Sequence, residues 1–326
     1  MHESAGPEIN HRFVQVGGLR VHLAEAGSGP LVVLLHGFPE TWYSWRHQLR
    51  ALAAAGYHAV APDQRGYGRT DRPEAVEDYT ILHTTGDVIQ LVHALGEQEA
   101  VLAGHDWGGV VAWHAAMIRP DVVRGVVALS TPFQPHADGP HLAGLRAVAG
   151  SDYDRYYSVY VQQPGIADEE LDADPHATVR RALHGASADG YPWSPIVPED
   201  GRLLDIWPEP ERLPDWLTED DIDTVAADFA KTGFTPALNW FRNFDRNWVL
   251  TTAWHDSTIR PPALYLTGDR DLAATLPGSE DLIAGRSAAV PNARKAIVLP
   301  GCGHWIQQEQ PEEVNQALLD FLRSLT

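Results

Sequence analysis

The sequence predicts an α/β fold, in which a mostly parallel β-sheet is flanked by helices and one helical segment is inserted. Over the first 133 residues of the 326-residue chain, short aliphatic runs such as 31–35 alternate with stretches of helical periodicity. This alternation is absent from residues 134–256, where helical patches rich in Trp and Tyr replace it. Apolar runs at 262–267 and 295–299 then resume the strand pattern, so two separate parts of the chain should build one sheet.

The elements of the first part can be predicted in order. Residues 14–23 alternate apolar and polar positions around a Gly-Gly pair, which is typical of an antiparallel hairpin. Aliphatic or small-residue runs separated by helical patterns then predict a parallel arrangement of strands. The predicted elements are a strand at 31–35, a helix at 42–55, a strand at 58–61, a helix at 80–95, a strand from 101, a helix ending near 118 and a strand at 125–129.

The interruption of the strand pattern predicts a division into two domains. Residues 1–133 and 257–326 should form the sheet-containing core domain, which ends with an amphipathic helix from Pro311 to about 322. Residues 134–256 should form a helical cap domain, with a proline-rich connector at 191–198. The aromatic residues of the cap could form its own core, or could line a dry pocket above the carboxyl edge of the sheet.

Composition excludes several classes of function. The formal charge of −20 results from 44 acidic residues against 24 Lys and Arg, so nucleic acid and anionic membranes are unsuitable partners. A single cysteine, Cys302, excludes an intrachain disulfide. The polar N-terminus and the lack of a long apolar run favour a soluble cytoplasmic protein. The 16 histidines are scattered, so no metal site is expected.

The segment Gly104-His105-Asp106-Trp107-Gly108 follows one predicted strand and precedes a predicted helix. Small residues two positions before and after a central residue are typical of a nucleophile elbow, a sharp strand-to-helix turn that exposes the central side chain. Here the central residue is Asp106. A surface turn or a simple helix N-cap at Asp106 is the alternative interpretation.

An aspartate at this position indicates a particular chemistry. A carboxylate, with an ordinary pKa of about 3.9, is ionised at neutral pH and can attack an sp3 carbon without a general base. The attack would produce an alkyl ester on the enzyme, which an activated water must then hydrolyse. We therefore expect a histidine for the second step and a group that stabilises the leaving group in the first.

Residues suited to this chemistry follow several predicted strands. They are the turn His36–Glu40, Asp106, the acids Asp269 and Asp271, and His304. Because ligands bind at the carboxyl edge of an open α/β sheet, we expect these groups to lie close together. Their order along the chain, nucleophile then acid then histidine, is that of the α/β-hydrolase triad.

Six short segments carry a resemblance to a known family. They are His36-Gly37-Phe38-Pro39-Glu40, Gly66-Tyr67-Gly68, Gly104-His105-Asp106-Trp107-Gly108-Gly109, Tyr157-Ser158-Val159-Tyr160-Val161-Gln162-Gln163-Pro164-Gly165, Leu238-Asn239-Trp240-Phe241-Arg242-Asn243 and Gly303-His304-Trp305. With these segments the sequence resembles the epoxide hydrolase branch of the α/β-hydrolase family over nearly its whole length. The resemblance implies an epoxide and water as reactants, and neither a cofactor nor a metal.

The resemblance also implies roles for individual residues. Asp106 would attack an epoxide carbon, and Tyr157, five residues before Gln162, would donate to the departing oxygen. His304, oriented by Asp271, would activate water for ester hydrolysis. The backbone N–H groups of Phe38 and Trp107 would form the oxyanion hole. The side chains of Phe38, Pro39, Trp107 and Phe241 would contact substrate.

Several assignments stay open at this stage. Family members commonly carry a second cap tyrosine where this sequence has Phe241, so ring opening would depend on Tyr157 alone or on Tyr153, Tyr156 or Tyr160. Asp269 is an alternative to Asp271 as the acid. Glu40 could position the hydrolytic water or could merely begin a helix. We expect Arg65, Arg69 and Arg242 to be structural partners of acidic residues.

Two other functions compete with epoxide hydrolysis. In a dehalogenase, Asp106 would attack a carbon–halogen bond and Trp107 would bind the halide. However, haloalkane dehalogenases usually have Asn where Phe38 stands, and fluoroacetate dehalogenases have Arg where Trp107 stands. A non-catalytic protein that binds a small molecule is the third hypothesis. The oligomeric state is expected to be monomer or homodimer.

Overall fold

The computed structural model describes residues 6–276 and 278–325. Eight strands in this part of the chain form one sheet in the order β1-β2-β4-β3-β5-β6-β7-β8. The first pairings, β1 with β2 and β2 with β4, are antiparallel, and the remaining pairings are parallel. The strands are β1 Asn10–Val16, β2 Leu19–Ala26, β3 Leu31–Leu35, β4 His58–Pro62, β5 Ala100–His105, β6 Val123–Leu129, β7 Ala263–Gly268 and β8 Ile297–Leu299.

Helices occupy the segments between most parallel strands and the whole stretch between β6 and β7. The core helices that precede this stretch are α1 Arg46–Ala54, α2 Ile81–Ala94 and α3 Trp107–Ile118. Within the stretch lie α4 His141–Ala149, α5 Tyr157–Tyr160, α6 Ile166–Asp172, α7 Pro175–Gly185, α8 Glu219–Thr232, α9 Thr235–Phe241 and α10 Phe244–Leu250. After β7 come α11 Ser279–Ile283, α12 Ile306–Glu309 and α13 Pro311–Arg323. Short 3₁₀ turns add Trp42–Trp45, Val76–Tyr79, Gly150–Arg155, Leu203–Ile206, Thr252–Trp254 and Leu272–Thr275.

The predicted α/β-hydrolase fold is confirmed, with differences at element ends. The predicted helix 42–55 begins as a 3₁₀ turn at Trp42–Trp45, which the side chain of Thr41 caps, and α1 starts only at Arg46. The predicted strand 295–299 is shorter, since β8 pairs with β7 only from Ile297. The last helix, predicted to end near 322, ends at Arg323.

The sheet is buried on both faces, which explains its aliphatic strands. All five residues of β3 are buried, and alternate side chains pack into different apolar clusters. Helices α1 and α13 cover one face, and α2 and α3 cover the other. The apolar residues of the inserted helices belong to the same cluster as α2 and α3.

Strand register determines which loops meet at the carboxyl edge. Leu35 of β3 lies opposite Gly104 of β5, so the turn that begins at His36 adjoins the turn at Asp106. Gly268 of β7 lies opposite Leu299 of β8, which brings the loops that follow these two strands together. Within the described residues, no helix is long and apolar enough to cross a membrane.

Candidate active site

Asp106 occupies the sharp turn between β5 and α3. Its backbone has φ 49° and ψ −120°, a left-handed conformation that is strained for any residue other than glycine. The strain is tolerated because the flanking backbone is packed tightly. A Cβ on Gly104 would overlap the carbonyl oxygen of Gly108, and a Cβ on Gly108 would overlap that of Leu35. The predicted elbow geometry is therefore present. Asp106 does stand at the N-cap position of α3, but its side chain makes no cap hydrogen bond, so helix capping does not explain it.

The two carboxylate oxygens of Asp106 face different partners. Oδ1 accepts a 2.9 Å hydrogen bond from the backbone N–H of Phe38. Oδ2 lies 3.8 Å from Nε2 of His304, and the carboxylate side chain keeps 28% of its exposure. The backbone N–H of Trp107 has no acceptor among the described residues. One oxygen is thus held by the backbone while the other faces the imidazole.

His304 lies in the loop after β8, against the carboxylate of Asp271. Its Nδ1–H donates to Asp271 Oδ1 over 3.0 Å, and the same oxygen accepts from the N–H of Ala273 over 2.9 Å. Asp271 is 4% exposed, and its second oxygen, Oδ2, is buried without a partner in the described part of the chain. Asp269 instead accepts from the N–H of Gly301 over 2.8 Å. The geometry therefore pairs Asp271, and not Asp269, with the histidine.

The charges around His304 dominate its titration. Burial alone would lower the pKa of the imidazole, but the neighbouring carboxylates, Asp271 before Asp106 and Glu40, outweigh burial and raise the pKa to about 9. The imidazole of His304 is consequently protonated at neutral pH.

Glu40 is a buried carboxylate that accepts hydrogen bonds from the loop after β3, from His105 and from two glutamines after His304. Its Oε2 accepts from the N–H of Gly37 over 3.0 Å and from Nδ1 of His105 over 2.7 Å. Its Oε1 accepts from the side-chain amides of Gln307 and Gln308 over 2.9 and 3.1 Å. Burial would raise the pKa of Glu40, but the charge and hydrogen bond of His105, followed by the Gly37 N–H, lower it.

These contacts exclude one of the two interpretations of Glu40. It does not cap a helix, because Thr41 caps the next turn. It fixes the loop that carries the Phe38 N–H, and it holds His105, whose Nε2 lies 2.9 Å from the carbonyl oxygen of His304. Its contact with a hydrolytic water stays a prediction. The contributions of Gln307 and Gln308 were missed by sequence reasoning, since their position shortly after His304 is the only signal.

Tyr157 is the first residue of the short helix α5. Its ring lies 6.2 Å from that of Phe241 and 5.6 Å from that of Tyr156, and its hydroxyl has no partner among the described residues. Burial raises the pKa of the Tyr157 hydroxyl, and electrostatic interaction with Tyr156 and Asp106 raises it further. Tyr160, by contrast, donates its hydroxyl to Glu170 over 2.6 Å. Tyr153 lies under the guanidinium of Arg146.

Aromatic rings surround the elbow on the side of the inserted helices. The ring of Trp107 lies 5.2 Å from Phe241 and 5.4 Å from Phe244, and Phe38 lies 5.4 Å from Phe241. Trp107 and Phe241 are only 6% and 7% exposed, so these rings are packed against one another. Pro39 is buried and follows Phe38 through a cis peptide bond. Its predicted contact with substrate stays a prediction.

Two of the three arginines pair with acids, as predicted. Arg65 forms a bidentate ion pair with Asp87 at 2.7 Å, and Arg242 bonds both oxygens of Asp168. Arg69 differs from the prediction, because its side chain is exposed and has no acidic partner in the described part of the chain. The described residues also contain no group of three or more His, Cys, Asp or Glu able to hold a metal ion.

The fold and the site define an α/β hydrolase with aspartate at the elbow. A family model described as the alpha/beta hydrolase fold matches residues 30–167. Epoxide hydrolase A of Mycobacterium tuberculosis is 43% identical over 320 residues, which cover 96% of this chain and 97% of that protein. Epoxide hydrolase 3 of Siraitia grosvenorii is 40% identical and covers 97% and 98% of the two chains.

Solved structures agree with these relatives. Epoxide hydrolase A from Mycobacterium thermoresistibile matches with a TM-score of 0.90 and 45% identity, over 97% of this chain and 98% of that one. An epoxide hydrolase from an endophytic Streptomyces matches with a TM-score of 0.92 and 42% identity, over 97% and 96%. The chain belongs to the epoxide hydrolases of the α/β-hydrolase family.

Proposed function

We propose that this protein hydrolyses a hydrophobic epoxide to a vicinal diol through a covalent alkyl ester on Asp106. The proposal rests on one observation: the two oxygens of Asp106 have different partners. Oδ1 accepts from the Phe38 N–H, and Oδ2 lies 3.8 Å from Nε2 of His304. A carboxylate nucleophile suits attack on an epoxide carbon, and the nearby imidazole suits hydrolysis of the resulting ester.

Ring opening is the first step. Oδ2 of Asp106 attacks one oxirane carbon and displaces the ring oxygen, so one C–O bond forms as another breaks. The departing oxygen takes a proton from the hydroxyl of Tyr157, which has no other partner among the described residues. The products are a hydroxyalkyl ester on Asp106 and a tyrosinate that recovers its proton before the next turnover.

Ester hydrolysis is the second step, and the first step prepares it. Esterification removes the negative charge of Asp106, one of the charges that keep the pKa of His304 high. The pKa of His304 then falls, so the imidazolium releases its proton, which restores the Tyr157 hydroxyl by way of solvent. The neutral imidazole then accepts a proton from water as that water attacks the ester carbon. The backbone N–H groups of Phe38 and Trp107 stabilise the oxyanion, with about 3–4 kcal/mol per donor in comparable acyl chemistry. Collapse of the intermediate breaks the bond to the diol oxygen, and that oxygen takes the proton of the new carboxyl group. This releases the diol, restores the Asp106 carboxylate and leaves His304 protonated again.

The aromatic wall supports a hydrophobic substrate, and Phe241 limits the number of proton donors. Phe241 carries no hydroxyl, and that of Tyr160 is bonded to Glu170. Tyr157 is therefore the proposed donor, and Tyr153 and Tyr156 are secondary candidates. Phe38, Trp107 and Phe241 are the proposed contacts for the substrate, together with Pro39.

We also propose that residues 134–256 act as a cap over a core formed by 1–133 and 257–326. Hydrogen bonds that support this division run from the Trp240 indole N–H to the Arg65 carbonyl over 3.1 Å and from the Tyr43 hydroxyl to Asp221 over 2.9 Å. The proposed reactants are a small epoxide and water, and the proposed assembly is a monomer or homodimer. The expected cytoplasmic location stays a prediction.

The proposal can be tested with purified protein and three groups of compounds: aryl and alkyl epoxides, haloalkanes, and fluoroacetate. Diol formation without halide release supports epoxide hydrolysis, whereas halide release alone would contradict it. A single turnover in 18O-labelled water should place the label in the Asp106 carboxylate. Label found solely in the diol would exclude the covalent ester. Asp106→Asn serves as the inactive control.

A further inference from the structure

Glu309, at the end of α12, is a carboxylate that the proposed mechanism does not use. We propose that it is a positioning residue, which fastens the loop of His304 to the segment Ala186–Ala188 that follows α7. This inference rests on the proposed function, because it assigns Glu309 an effect on ester hydrolysis. It does not place Glu309 in contact with substrate.

One carboxylate connects three backbone N–H groups from two parts of the chain. Glu309 Oε1 accepts from the N–H of Trp305 over 3.0 Å. Oε2 accepts from the N–H of Gly303 over 2.9 Å and from the N–H of Ala188 over 3.0 Å. The two residues that flank His304 are therefore bound to the same group as the inserted segment.

The inserted segment also contacts the histidine itself. The backbone N–H of His304 donates to the carbonyl oxygen of Ala186 over 2.9 Å. A Cβ on Gly303 would overlap the backbone of Ser187 and Ala188, so the two segments touch with no side chain between them. Ser187 is fully buried and donates its hydroxyl to the His184 carbonyl over 2.7 Å, which fixes the segment to the end of α7.

Glu309 is one of several supports of His304. The carbonyl oxygen of His304 also lies 2.8 Å from the Ser130 hydroxyl and 2.9 Å from Nε2 of His105. Removal of the Glu309 carboxylate should therefore displace the loop without releasing it. A misplacement of about 1 Å can cost roughly a hundredfold in rate. Ring opening needs Asp106 and Tyr157, whereas hydrolysis needs the position of His304, so the two steps should respond differently.

The test compares Glu309→Gln, Glu309→Asp and the control Glu313→Gln, whose side chain is exposed at the start of α13. In Glu309→Gln, one acceptor oxygen becomes an NH₂ group that cannot accept from the backbone N–H groups. We expect hydrolysis to slow by about tenfold or more, while ester formation stays within about twofold. Quenched-flow samples measured by intact mass should then show accumulated alkyl-enzyme. Glu309→Asp, which keeps both oxygens and the charge, should recover part of the hydrolysis rate.

A purely structural role predicts a different result. Equal slowing of both steps with a lowered melting temperature, or an unchanged rate of hydrolysis, would overturn the assignment. Substrate-free NMR separates this inference from the proposed function. The downfield proton on Nδ1 of His304, identified by its loss in His304→Gln, should shift in Glu309→Gln and not in Glu313→Gln. A shift with no diol formed by the wild-type protein would refute epoxide hydrolysis alone, and no shift would refute the positioning.

Discussion

Protonation of His304 should stabilise the folded protein, and alkaline pH should remove that stabilisation. The folded pKa of about 9 lies above the ordinary value of 6.5, so the folded state binds the proton more tightly than the unfolded state. The contribution is complete below about pH 6.5 and is lost as the pH rises through about 9. Each pKa unit corresponds to 1.36 kcal/mol, so the rise from 6.5 to about 9 corresponds to roughly 3 kcal/mol.

The assay is urea unfolding of the wild-type protein and of His304→Gln at pH 5.5 and pH 10. Both proteins share every other titrating group, so the difference between their free energies of unfolding isolates His304. We expect the wild-type advantage to shrink by about 3 kcal/mol between the two pH values. His93→Gln, at an exposed position on α2, is the matched control and should show little change. A His304→Gln difference that is constant within about 0.5 kcal/mol would refute the electrostatic reasoning.

Three further predictions concern the two chemical steps. Tyr157→Phe should slow ring opening by about a hundredfold or more, since a general acid contributes a factor of about 10²–10⁴ to the rate. The control Tyr160→Phe should retain nearly the full rate of alkylation. Equal losses in the two variants would show that Tyr157 is not the proton donor. His304→Gln should form the alkyl ester and fail to hydrolyse it, so intact mass spectrometry should detect an adduct on Asp106 whose absence would remove His304 from the second step. Phe241→Tyr should place a second hydroxyl among the aromatic rings around Trp107 and raise ring opening of alkyl epoxides by up to about tenfold, measured as diol in single turnovers. An unchanged rate would show that this hydroxyl does not reach the epoxide oxygen.

The core of the fold could be predicted because local patterns and long-range packing agree there. The strand 31–35 is aliphatic throughout, and in the structure it is paired on both sides and covered on both faces. The elbow at Asp106 was also predictable, since the glycines at 104 and 108 are required by the backbone contacts that a Cβ would block. Ends of elements were less predictable, because side-chain caps such as Thr41 fix them.

The details of the site depend on contacts between distant segments. Asp269 and Asp271 follow the same strand, and only the folded loop shows that Asp271 faces His304 while Asp269 binds the N–H of Gly301. The partners of Glu40 include Gln307 and Gln308, which follow it by 267 and 268 positions in the chain, so no local pattern reveals them. The same holds for Glu309, whose acceptor role is visible only once the segment after α7 lies against the histidine loop. For Tyr157 and Tyr160, the distinction depends on the folded position of Glu170.

The close backbone contacts at Gly104 and Gly108 limit the substitutions that this protein can accept. The turn that carries Asp106 joins strand β5 to helix α3, whereas Tyr157, Phe241 and Phe244 belong to helices inserted after β6. Substitutions in those helices can change the aromatic surroundings of Asp106 while the turn itself keeps its geometry. Laboratory evolution toward new substrates should therefore accept changes in the inserted helices and reject almost any side chain at 104 or 108.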